Sequence, residues 1–153
     1  RWILGLTSVR EGCGRGEFVV CIVFVDGKPR NSCLTLTASV DGSEITTLEG
    51  LAPPGKVHAI QVAFIETGGV QCGFCTPGFI LMTKALLDHN PNPSREEVVK
   101  WLSSVLCRCG SYYKYFEAVE RAREYLARGK VFFDEKEVRN KYYLKIVEGG
   151  MSV

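Results

Sequence analysis

The chain has 153 residues, enough for one sizeable domain or two small ones, and 46% are apolar, so a packed core can form. Its 19 basic and 17 acidic residues leave a net charge of +2 with no basic block, which gives no footing for nucleic acid or an anionic membrane surface. No apolar run is long enough to span a bilayer and no signal-peptide pattern is present, so a cytoplasmic protein is expected.

In chain order, the opening RWILGLTSV reads like the inside of a domain, and a strand pair is expected to be missing before it. The loop GCGRGEFVVC (residues 12–21) places Cys13 between two glycines and Cys21 eight positions later. CIVFVDGKPRNSCLTL then has two apolar runs around Asp26-Gly27, a tight-turn signal because both positions tolerate positive φ. Asp41-Gly42, flanked by β-branched residues, predicts a second hairpin. Two or three short strands make a thin sheet, which calls for a missing hairpin or a partner to complete it.

LAPPGK is a Pro/Gly break and a plausible linker. After it the apolar period becomes helical. Helices are predicted over 57–67, over 76–89 with Thr76 as N-cap and Pro77 in the first turn, over 94–106 with a Ser94/Glu97 capping box, and over 115–127. Residues 131–153 carry too little apolar mass to fold alone and read as a tail that docks on a partner. His58 and His89 read as surface or capping residues. Trp2, Trp101 and the aromatics of YYKYF read as packing or interface.

Seven cysteines are the main anomaly. The odd count argues against a fully paired disulfide framework, and clustering in a reducing compartment favours metal or redox chemistry. Cys72 and Cys75 lie at the start of the second predicted helix; Cys107 and Cys109 lie between the third and fourth. Paired helical hairpins bring all four to one end of a bundle, where free N–H groups favour thiolates. C-x2-C plus C-x-C leaves structural zinc and a [2Fe–2S] cluster equally open on spacing alone, while a disulfide redox site explains only CGFC.

VQCGFCTPGFILMTKALL, NPNPSREEVVKWLSSVLCRC and LCRCGSYYKYFEAVERA closely resemble the iron–sulfur subunit of the xanthine oxidase family of molybdenum hydroxylases, over residues from about 4 to 127. The resemblance implies an α+β fold. A ferredoxin-like β-grasp domain over 1–52, N-terminally truncated, is followed by a four-helix [2Fe–2S]-binding bundle over 53–130 and a docking tail over 131–153. It implies that Cys72, Cys75, Cys107 and Cys109 ligate a cluster, and that Gln71 and Cys109 contact a molybdopterin cofactor held by a large partner subunit. A medium subunit is expected to carry FAD. The chain is then an electron-transfer subunit with no catalytic residue of its own, stable only within a larger complex. The alternative is a non-redox assembly or metal-binding scaffold on the same fold.

The sequence departs from that family at Gly110-Ser111-Tyr112, where Thr-Gly-Tyr is usual, and in the first loop. Plant-type spacing, C-x4-C-x2-C with a distant fourth cysteine, places ligands at 13, 18, 21 and 33. Position 18 is Phe. Cys13, Cys21 and Cys33 thus form a degenerate site with Phe18 in the remaining slot, and the adjacent Glu17 is a poor substitute for thiolate. Val19 stands where glycine is usual and resists positive φ, so an altered loop backbone is expected. No ordinary second [2Fe–2S] cluster is expected there, a three-iron cluster being the rival.

Overall fold

The structure, a computed structural model, describes residues 1–144. Strand β1 (Ile22–Val25) turns through Asp26 and Gly27, at φ +49° and +74°, into the antiparallel β2 (Lys28–Asn31). Both turn residues take positive φ, which is the demand that selects Asp-Gly in a two-residue hairpin. On the other edge of β1 lies the two-residue β3 (Ile45–Thr46), giving the order β2-β1-β3.

The second predicted hairpin does not form. Residues Thr37–Val40 make a 3-10 turn, and Asp41 ends it instead of joining two strands. Just before it, Leu34 and Leu36 are exposed, so this stretch of chain contributes little to the core.

Strand β4 (Lys56–His58) leads into α1 (Ala59–Glu66). His58 is buried and caps this helix: its Nδ1 accepts from the Ile60 N–H (3.2 Å), and the Gln61 side chain accepts from the His58 N–H (2.9 Å). The helix therefore starts two residues later than its apolar period predicts. Helix α2 (Thr76–His89) has Cys75, not Thr76, at the N-cap, with Pro77 in the first turn. It is buried on nearly every side, as expected of a helix that is apolar all round. Helix α3 (Arg95–Leu102) ends at Ser103, earlier than predicted. Ser94 caps it by accepting from the Glu97 N–H (3.2 Å), but the Glu97 carboxylate accepts from Asn90 Nδ2 (2.7 Å). Helix α4 (Tyr112–Ala127) buries Tyr115, Ala118, Val119 and Ala122, an i, i+3, i+4, i+7 stripe.

One apolar core joins the two halves. Val20, Ile22 and Phe24 from the sheet region meet Phe79, Leu81 and Leu86 of α2, and α4 closes over Phe64 of α1. Truncating a fully buried side chain such as Leu86 to alanine costs about 2–5 kcal/mol.

The described part of the expected docking tail packs on its own chain. Strand β5 (Phe132–Asp134) pairs antiparallel with β4, and α5 (Glu135–Arg139), capped by Asp134, buries Val138. Phe132 sets its ring edge-on to His58 (5.6 Å) and Phe133 meets Tyr125 (5.0 Å). Glu66 on α1 accepts from Tyr125 (2.5 Å), Tyr142 and Lys141 (3.4 Å), which ties the following π-helical turn down. The apolar mass that looked too small for independent folding suffices as an addition to an existing surface. Residues 145–153 of the expected tail lie outside the described residues.

Candidate metal centre

The C-x2-C and C-x-C segments meet at one end of the helices, Cys75 capping α2 and Cys107–Cys109 leading into α4. The four thiols form two pairs. Cys72 and Cys109 are exposed, with their sulfurs 3.4 Å apart. Cys75 and Cys107 are buried beneath them and interact with each other. Gly73 and Gly110 hold φ of +76° and +79°, conformations that let the chain double back and aim N–H groups at sulfur.

The environment divides the thiols. The Phe74 N–H, then the Cys109 thiol, holds Cys72 below the ordinary thiol range. Burial works against the Cys107 thiolate, but the Ser111 N–H, the Cys75 thiol and the Gly110 and Cys109 amides outweigh it and bring Cys107 down. Burial pushes Cys75 up to about 11, so this thiol yields its proton only to a strong electrophile such as a metal.

The frame around these sulfurs comes from side chains that periodicity marks as packing. Tyr112 Oη accepts from the Cys107 N–H (2.9 Å) and donates to the Val105 carbonyl (3.1 Å), bracing the loop that carries Cys107. Tyr115 Oη lies 3.5 Å from Cys75 Sγ. The available signal was chemical: a tyrosine in a buried helical slot must place its hydroxyl somewhere polar. Gln71 Nε2 donates to Ser111 Oγ (2.8 Å) and to the Cys109 carbonyl (3.4 Å), tying the two cysteine segments together.

Cys13, Cys21 and Cys33 are also brought together. The N–H groups of Arg15 and Phe18, with those of Glu17 and Gly16, hold Cys13 below its usual value. Burial and the neighbouring Cys21 thiol push Cys33 up. Phe18 is half-buried against the core, and its ring lies close to Gly12. Contrary to the expected change of backbone, Val19 keeps a positive φ of +52°. Neighbours on both sides over-determine this strained state. The Phe18 carbonyl accepts from the Leu106 N–H (3.1 Å), and the Val19 carbonyl rests on Gly78, where a Cβ would come within 3.0 Å. Glu17 is exposed.

Among the described residues no three His, Cys, Asp or Glu side chains are disposed to hold one metal ion together. The two-pair arrangement of Cys72/Cys109 and Cys75/Cys107, with amides aimed at the sulfurs, fits a two-iron cluster better than one tetrahedral ion.

Comparisons with known proteins point to the same cofactor class. The model of a [2Fe–2S] binding domain family matches residues 47–120, which contain all four of these cysteines. The nicotinate dehydrogenase small FeS subunit of Eubacterium barkeri is 51% identical over 120 residues, covering 78% of this chain and 76% of that protein. The xanthine dehydrogenase iron-sulfur-binding subunit of Escherichia coli O157:H7 is 46% identical over 110 residues, 71% of this chain and 69% of that one. Among solved structures, quinoline 2-oxidoreductase from Pseudomonas putida 86 superposes with a TM-score of 0.77 at 39% identity, covering 84% of this chain and 80% of that chain. Aldehyde oxidoreductase from Desulfovibrio gigas gives 0.76 at 44% identity, the match covering 83% of this chain but 14% of that one. The chain belongs to the iron–sulfur subunits of the xanthine oxidase family of molybdenum hydroxylases. The scaffold alternative finds no support among these relatives.

Proposed function

We propose that this chain passes electrons from a molybdopterin site on a large partner subunit toward a flavin on a medium subunit or an external acceptor, in the cytoplasm. The ligand set is Cys72, Cys75, Cys107 and Cys109 within a helical part over 53–130, beside a ferredoxin-like part over 1–52 whose Cys13/Cys21/Cys33 site is degenerate. When bound, a [2Fe–2S] cluster supplies one-electron transfer. This chain's residues supply the rest. The Phe74, Gly110 and Ser111 amides stabilise charge on sulfur. Tyr112 fixes the Cys107 loop. Gln71 and Cys109 offer the exposed edge through which a pterin approaches.

The observation that carries this reading is the pairing of an exposed thiol couple, Cys72 and Cys109 at 3.4 Å, over a buried couple, Cys75 and Cys107. One pair faces outward to exchange electrons while the other anchors the site in the core. Purifying the full chain with whatever subunits accompany it, and assaying iron, acid-labile sulfide, molybdenum, flavin and zinc, tests the proposal. Iron and sulfide in equal amounts, with molybdenum and flavin in separate co-purifying chains, are expected. Zinc in place of iron would overturn it. No helix among the described residues is long and apolar enough to cross a membrane.

A further inference from the structure

Tyr115 is 1% exposed, and its ring is fixed between Phe64 (centroids 5.3 Å apart, stacked) and Phe79 (4.2 Å). A hydroxyl so deep in an apolar core must find a polar partner or carry a desolvation cost. Its one partner at full hydrogen-bond geometry among the described residues is Cys75 Sγ at 3.5 Å; the buried Thr76 hydroxyl lies near enough to act on the phenol but completes no such bond. Either atom of the Tyr115–Cys75 pair is able to donate while Cys75 is a thiol. Once the sulfur has lost its proton to a metal, it has nothing to donate, and the phenol becomes the donor.

We propose that Tyr115 is a positioning residue that sets the reduction potential of the helical-domain cluster through an O–H···S hydrogen bond to Cys75. The inference rests on the ligand assignment made above. Reduction adds one electron, supplied by dithionite in the test, with no bond made or broken, and it increases negative charge on the ligand sulfurs. A donor hydrogen bond to sulfur stabilises that added charge and raises the potential. The aromatic clamp makes the effect a fixed property of the fold, because the phenol cannot turn away without disturbing Phe64 and Phe79.

The test is an EPR-monitored redox titration of the full chain as purified with its accompanying subunits, wild type against Tyr115→Phe. Phenylalanine keeps the ring stack and removes only the hydroxyl. The expected result is a [2Fe–2S] signal of unchanged intensity whose reduction equilibrium is less favourable by up to roughly tenfold, about 59 mV lower for a one-electron couple. Incorporating 3,5-difluorotyrosine at 115 makes a stronger donor of nearly the same size and should move the equilibrium the opposite way. Unmoved potentials in both proteins, with the signal present, would overturn the proposal, as would loss of the cluster from a Tyr115→Phe chain that stays folded. Absence of any [2Fe–2S] signal from the wild type would instead defeat the ligand assignment itself.

Discussion

The two cysteine sites are built in opposite ways. Cys72, Cys75, Cys107 and Cys109 are carried by regular elements: a helix start with Pro77 in its first turn, a braced loop, and two positive-φ glycines where the chain must double back. Cys13, Cys21 and Cys33 sit on irregular chain held by neighbours, with a β-branched residue at φ +52° and an aromatic ring where a fourth thiolate belongs. On the proposed assignment, four thiols on low-strain backbone supply the full ligand set of a [2Fe–2S] cluster. On the same proposal, three thiols on strained backbone supply one ligand fewer than a [2Fe–2S] cluster takes. The Arg15 and Phe18 N–H groups surround Cys13, although position 18 itself carries an apolar ring and no thiol.

This contrast can be broken most severely at the complete site. Cys107→Ser should remove most of the visible iron–sulfur absorbance, because it deletes a buried ligand whose loop is held by Tyr112. Unchanged absorbance would show that the cluster lies elsewhere.

The reverse experiment rebuilds the incomplete site. Phe18→Cys restores the C-x4-C-x2-C spacing and should create a second [2Fe–2S] EPR signal. Adding Val19→Gly should raise its intensity, since glycine takes φ +52° without the clash a β-branched side chain suffers there. A double variant with the wild-type spectrum would mean that the loop has lost more than one ligand.

Two smaller effects sharpen the point that capped helices support the complete site. The buried His58 titrates at about 4 rather than 6.5, mainly because burial disfavours its charged form. The unfolded chain therefore binds this proton below pH 6.5, whereas the folded chain does so only near pH 4. Stability is full above pH 6.5 and falls as pH drops through that window. Between pH 7 and pH 5 the loss is about 2 kcal/mol for this group. Denaturant unfolding should show it as a difference between wild type and His58→Asn, a variant that keeps a capping side chain but does not titrate. An identical pH slope in both proteins would remove His58 from the account. Last, Ser94→Ala should cost about 1 kcal/mol in the same assay, by deleting the acceptor for the Glu97 N–H.

Much of this contrast is legible in the sequence. Asp26-Gly27 states its own turn, Pro77 and Ser94 mark helix starts, and C-x2-C with C-x-C at helix ends announces a thiolate site. Other features escape because they depend on what the fold brings near. Asp41-Gly42 has the composition of a hairpin, but the residues before it close a 3-10 turn that ends at Asp41. His58 reads as a surface or capping residue; it does cap α1, but its burial under β5 is not legible in the sequence. The positive φ of Val19 runs against local preference and is imposed by the Leu106 N–H and by Gly78, both distant in sequence. Tyr112 and Tyr115 look like core aromatics, and only the structure shows their hydroxyls turned toward the cysteine segments.

The central claim is that one site is complete and the other is not. EPR of the dithionite-reduced full chain, with iron counted on the same sample, tests it most directly. The account predicts a single [2Fe–2S] signal and about two irons per chain, the content of one cluster. Two distinct [2Fe–2S] signals with about four irons would contradict it.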